Sequence, residues 1–162
     1  MFLQYFLYNI PTFSSTTLIC MAIVNQSTLV AYNAQQMYRL LNDYERYPEF
    51  LPGCVGNLTL NKSAVQLTGE SEISKAGIRQ KFTTCNTMKE NQSIRMQFVD
   101  GPFKFLQGEK FTDPDKKSCQ TRLYLASEFS NPPVGFAFGQ IFTHLTNKMI
   151  DALKQRAKQI YG

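Results

Sequence analysis

The feature that most limits what this chain can fold into is a change of hydrophobic period near residue 130. From Val55 to Phe129, apolar and polar residues alternate every second position, the period of a strand with one face buried. Val65, Leu67 and Ile73 share one parity, and Gln66, Thr68, Glu70 and Glu72 share the other. Ile94, Met96 and Phe98 alternate with Arg95 and Gln97; Phe103, Phe105 and Phe111 share a side, as do Leu123, Leu125 and Phe129. Turn signals break the pattern at Asn61-Lys62-Ser63, Lys75-Ala76-Gly77, Glu90-Asn91, Asp100-Gly101 and Asp113-Pro114-Asp115. Strands joined by links this short pair antiparallel, since a parallel pair needs a crossover of about a dozen residues or more. After Asn131-Pro132-Pro133, a helix-start signal, Val134, Phe138, Ile141, Leu145, Met149, Ala152 and Leu153 recur at helical spacing. One helix over about 132–159 is expected, roughly 40 Å long at 1.5 Å per residue. Upstream, Ile23 to Val30 reads as a strand, and Asn33 as the cap of a helix with Met37, Leu40, Leu41 and Tyr44 on one face. Sheet and last helix each have one apolar face, so each covers the other. The predicted class is α+β, an antiparallel sheet of about seven strands wrapped around a long C-terminal helix.

The 162 residues suit one domain with its own core. Residues 1–21 carry no charged side chain, and Gln4, Asn9 and Pro11 interrupt their apolar character well short of a bilayer span. With neither a basic start nor small residues ahead of Cys20, they lack the layout of a secretory signal. They read as an N-terminal extension, loosely ordered or a misassigned start ahead of Met21, with the domain over 22–162 and no transmembrane segment. Cys20, Cys54, Cys85 and Cys119 form no Cys-x-x-Cys pair, and the single histidine, His144, cannot complete a zinc set. No metal site is expected, and the cysteines read as reduced thiols of a cytoplasmic protein.

Catalytic equipment is scarce. The sequence holds no Gly-x-Ser-x-Gly elbow, no Cys–His set with a base, and no phosphate-cradling Gly-Lys-Ser/Thr loop. Glu70 and Glu72 lie on the polar parity and read as a solvated face. His144 falls beside Leu145, off the apolar stripe, and reads as a surface imidazole. The expectation is a protein that is not an enzyme, with no catalytic residue. Of the net charge of +5, residues 148–162 carry +3. Lys75, Arg79 and Lys81 surround the turn at Gly77, and Lys148, Lys154, Arg156 and Lys158 face only Asp151 across 148–162. Such cations suit RNA phosphate, an anionic membrane surface or simply a solvated face.

Several strings carry a resemblance. Tyr47-Pro48-Glu49-Phe50-Leu51-Pro52-Gly53-Cys54, Lys75-Ala76-Gly77-Ile78, Phe82-Thr83-Thr84, Val99-Asp100-Gly101-Pro102-Phe103-Lys104 and Arg156-Ala157-Lys158 occur in that order along 22–162. They resemble the ribosome association toxins of the RatA family, within the coenzyme Q-binding START-domain (polyketide cyclase/START-like) superfamily. The quinone-binding branch tends to have Trp where this chain has Gly53, which favours the toxin branch. The resemblance implies a helix-grip (START-like) fold and a protein that binds the large ribosomal subunit. Such a protein blocks subunit association and inhibits translation initiation; an antitoxin partner is left open. The alternative it implies is a ubiquinone- or lipid-binding protein supporting respiration, with no cofactor required for folding. A helix-grip cavity would draw its lining from Tyr47, Phe50, Leu51, Pro52, Phe82, Met96, Phe98, Phe103, Phe105, Phe138, Phe142 and Met149, all of which equally suit a filled core. For a ribosomal surface the carriers would be Lys75, Arg79, Lys81, Lys148, Lys154, Arg156 and Lys158.

Overall fold

The structure, a computed structural model, describes residues 21–114 and 118–162. The expected N-terminal extension lies outside the described residues, apart from Met21, which opens the first strand. Seven strands form one sheet: β1 (Met21–Val30), β2 (Cys54–Lys62), β3 (Gln66–Lys75), β4 (Ile78–Lys89), β5 (Ser93–Asp100), β6 (Phe103–Pro114) and β7 (Cys119–Phe129). Their order is β1-β7-β6-β5-β4-β3-β2, and every neighbouring pair is antiparallel. The strands end where the turn signals fall; the last signal, Asp113-Pro114-Asp115, leaves the described residues at Asp115.

Between β1 and β2 the chain must travel from one edge of the sheet to the other. Helix α1 (Ala34–Asn42) and a 3-10 helix (Tyr44–Glu49) make that crossing. Asn33 starts α1 with a reciprocal cap: its side chain accepts from the Gln36 amide, and the Gln36 side chain accepts from the Asn33 amide, both at 2.9 Å. Met37, Leu40 and Leu41 are buried as their spacing demands. Gly53, at φ 74°, then turns the chain into β2, and a Cβ there would stand 2.5 Å from Leu145.

The C-terminal helix lies in the trough of the sheet, but it is interrupted once, where one continuous helix was expected. It forms α2 (Pro132–Asn147) and α3 (Met149–Tyr161), with Lys148 between them. The Thr146 hydroxyl donates to the Phe142 carbonyl at 2.7 Å, and the Lys148 amide turns to the Leu145 carbonyl at 3.1 Å. A buried threonine bonding back one turn is a recognised cause of a helix bend. Asn131 starts α2 through its carbonyl, which accepts from the Gly135 amide, and not through a side-chain cap.

Two clusters make the core. The first joins α1, the 3-10 helix and α3 to the sheet through Met37, Leu41, Tyr44, Leu67, Ile94, Leu153 and Ala157. The second is a ring cluster of Phe82, Phe103, Phe129, Phe138 and Phe142, with Phe103 and Phe129 centroids 4.6 Å apart.

One parity expectation fails. Phe103 is 3% exposed, but Phe105 is 39% exposed on the outer side. The register of β6 against β7 shifts between Phe103 and Phe105, so Leu106 and Gly108 inherit the inner face. Val65 fails for a simpler reason: it sits in the β2–β3 turn and is exposed. Phe105→Ala is therefore expected to change stability by only about 0.5 kcal/mol or less, whereas Leu106→Ala should cost about 2–5 kcal/mol, as read from denaturant unfolding. Equal effects would contradict the bulge.

Candidate functional site

A cavity of about 90 Å3 opens where the two core clusters fail to meet. Tyr44 and Tyr47 of the 3-10 helix and Leu51 and Pro52 after it form one wall. Phe82, Thr84 and Asn86 of β4, with Met96, Leu123 and Leu125 of the neighbouring strands, form the sheet side. Phe142, Leu145, Thr146 and Met149, at the bend of the helix, close the third. Phe82, Thr84 and Asn86 are alternate residues of one strand, so the pleat aims all three inward, and all three are buried.

The polar groups of this cavity differ in how they are satisfied. Tyr44 lies across Gly69, where a Cβ would stand 2.4 Å from its ring, and its hydroxyl is 2.7 Å from that of Ser71. Burial pushes the Tyr44 phenol above its ordinary range, against a smaller lowering by the Ser71 bond. Tyr44 thus stays neutral near pH 7 and serves as a hydrogen-bonding group, not a base. Tyr47 donates to the Leu41 carbonyl, and Thr146 is committed to Phe142. Asn86 Oδ1, by contrast, is buried with no hydrogen-bond partner.

Of the residues expected to line a cavity, Tyr47, Leu51, Pro52, Phe82, Met96, Phe142 and Met149 do so. Phe98, Phe103 and Phe138 belong to the ring cluster instead. Phe50 packs beside the first cluster, its ring 5.4 Å from the Arg156 guanidinium. Phe105 is outside the cavity altogether, for the register reason above. Tyr44, Ser71, Thr84 and Asn86 went unforeseen, although Thr84 and Asn86 share the parity of Phe82 and could have been read from it.

The basic residues separate in the same way. Arg79 and Lys81 pair with Glu72 at 3.3 Å and Glu70 at 2.9 Å, so Glu70 and Glu72 are not merely solvated. Arg156 is a correction: its side chain is 17% exposed, paired with Glu49 and laid on Phe50. It ties α3 to the 3-10 helix and does not offer its charge outward. Lys75, Lys148, Lys154 and Lys158 are exposed, and among the described residues none has a carboxylate partner. Lys75, at the end of β3, and Lys148, at the helix bend, both act on His144, whose pKa they lower below the ordinary 6.5, Lys75 the more strongly. Two regions distant in sequence therefore form one positive patch. Among the described residues no group of three or more His, Cys, Asp or Glu could hold a metal ion, and no helix is long and apolar enough to cross a membrane.

A curved antiparallel sheet gripping a C-terminal helix over an inner cavity is the helix-grip, START-like architecture. A Thermus thermophilus structure shares it at a TM-score of 0.75 and 14% identity, covering 87% of this chain and 100% of that one. A START superfamily structure from Mycobacterium smegmatis does so at 0.68 and 23%, covering 85% and 98%. The family described as polyketide cyclase/dehydrase and lipid transport matches residues 30–154. The ribosome association toxin RatA of Vibrio cholerae is 47% identical over 140 residues, 86% of this chain and 97% of that protein. The toxin RatA of Escherichia coli K12 is 44% identical over 145 residues, 89% and 92% of the two chains. A mitochondrial coenzyme Q-binding protein of Dictyostelium discoideum is more distant, at 24% over 141 residues, 81% and 66%. The chain belongs to the RatA ribosome association toxin family, within the polyketide cyclase/dehydrase and lipid transport family.

Because the two lysines disfavour the imidazolium, His144 should titrate below 6.5, and Lys75→Ala or Lys148→Ala should each raise its pKa. NMR titration of the single imidazole reads this directly. A titration unmoved by both changes would show that the patch is not assembled as described.

Proposed function

We propose that this protein is a non-enzymatic, cytoplasmic inhibitor of translation that binds the large ribosomal subunit and blocks its joining to the small one. The observation that carries the reading is the 47% identity to a protein named ribosome association toxin over 97% of that protein's length. The positive patch supports it: Lys75 and Lys148, without carboxylate partners among the described residues, present two charges from different elements on one surface. Lys154 and Lys158 add two further exposed charges on α3. RNA phosphate is the matching chemistry, and the net charge of +5 favours encounter with it. The cavity, whose one phenol of raised pKa is neutral, offers no evident general base.

Sucrose-gradient profiles after overexpression test this reading. Free subunits should accumulate at the expense of joined ribosomes, with the protein migrating beside the large subunit. Unchanged profiles with the protein left at the top would reject it. In binding to purified subunits, the double change Lys75→Ala, Lys148→Ala should weaken affinity. It should also make the slope of log affinity against log salt shallower by up to about 0.7–0.9 per lost contact. Arg79→Ala and Lys81→Ala, whose charges are already paired, should do less.

A second reading, carriage of ubiquinone or another lipid, is favoured by the ring-walled cavity and by the distant coenzyme Q-binding relative. Its difficulty is size. About 90 Å3 falls well short of the roughly 300–1,000 Å3 of pockets that engulf larger ligands, so a prenyl tail would require the walls to part. Organic extraction and mass spectrometry of protein purified from membrane-containing lysate decides it: a stoichiometric quinone or lipid supports carriage, and none rejects it.

A further inference from the structure

We propose that the outer face of the sheet beside β1 is the docking surface for this chain's own residues 1–20. Two rows of residues cross that face over four strands. In the first, Gln97 pairs with Gln107, Gln107 with Ala126 and Ala126 with Ile23. Two residues along each strand stand Val99, Phe105, Glu128 and Met21, with Phe105 and Met21 both in register with Glu128. Side chains repeat their direction every second residue of a strand, so both rows point the same way, away from the helices. Val99, Met21 and Ile23 are 54%, 48% and 56% exposed, and Phe105 stands among them. The one charge in the two rows, Glu128, is taken by Lys104 at 3.0 Å. Exposed apolar side chains that adjoin one another, unlike scattered ones, mark a contact surface.

β1 is also a sheet edge, and an unguarded one. Its ten residues hold no charge and no proline, and their register with β7 runs without a shift. β2, the opposite edge, is interrupted by two register shifts. An edge as plain as β1 calls for a covering segment. The chain itself supplies one. Residues 1–20 join the sheet at Met21, inside the apolar rows. They carry no charged side chain, and Phe2, Leu3, Phe6, Leu7, Ile10 and Phe13 make them apolar. Direct attachment holds them beside the face at an effective concentration on the order of millimolar, which a second copy in solution does not match. Two copies, each of net charge +5, also repel one another. A bilayer fits less well, because with Glu128 and Lys104 paired the rows hold no net charge for anionic headgroups. Nothing in this assignment depends on ribosome binding, so its test leaves the gradient experiment untouched.

The test uses the full chain. Residues 1–20, fully extended, span up to roughly 70 Å, so reach alone would let them touch either edge of the sheet. Phe105→p-benzoylphenylalanine and, on the far edge strand β2, Leu58→p-benzoylphenylalanine place a photo-cross-linker at two exposed apolar positions. On irradiation the first should join residues 1–20 of the same chain roughly fivefold more often than the second, as read by peptide mass spectrometry. No cross-link to residues 1–20, or equal yields from the two positions, would overturn the proposal. So would cross-links that run instead to a second chain or to added phosphatidylcholine vesicles. Chymotrypsin, which cuts after Phe, Tyr and Leu, gives a second readout. The double change Ile23→Ser, Val99→Ser should speed cutting within residues 1–20 by roughly tenfold, because it raises the undocked fraction. Cutting at an unchanged rate would overturn the proposal as well. If the double variant does not fold, the two cross-linking chains decide alone.

Discussion

Seven strands present one concave apolar face, and a single helical segment has to cover it. A straight helix lies along a curved trough with contact at only part of its length. The break at Lys148, beside the Thr146 hydroxyl bonded to the Phe142 carbonyl, divides the cover into two halves. α2 meets the ring cluster, while α3 meets α1 and the 3-10 helix. The cavity is the space left between the halves, and three of its lining residues, Leu145, Thr146 and Met149, come from the bend itself. Gly53, turned against Leu145, and Arg156, clasped to Glu49, fix the linker over the same point. Site and scaffold are therefore one packing arrangement.

Pairing, more than sequence clustering, determines which cations are available to a partner. Lys75, Arg79 and Lys81 are neighbours in the chain, yet two of them face carboxylates across the β3–β4 ladder and one does not. Lys148 is remote in sequence, yet it shares a surface with Lys75, and His144 registers both charges. Exposed pairs such as Lys81–Glu70 contribute little to stability, but they reduce the charge left to attract phosphate.

The strands, their antiparallel order and the closing helix were legible because each depends on periodicity and turn chemistry, both local properties of the chain. What was hidden depends on contacts across the fold. The alternation in β6 predicted Phe105 inward, and only the register with β7 reveals the extra residue that sends it out. Thr146 looked like one more helix residue until its burial gave its hydroxyl no partner but the turn before it. Arg156 read as a surface cation, since its partner Glu49 lies 107 positions away. Seven residues of the cavity wall were foreseen on their apolar character, while Asn86 was overlooked because a lone amide on a strand ordinarily signals solvent.

The helices that cover the sheet follow all seven strands in the element order. β1 finds its partner only in β7, and the trough it helps to form has no cover until α2 and α3 dock. Contacts this distant in sequence close late. Until the helices dock, the apolar trough faces water and the molecule has neither cavity nor assembled positive patch. Cavity and patch therefore arise together, in the single step that docks α2 and α3 on the sheet.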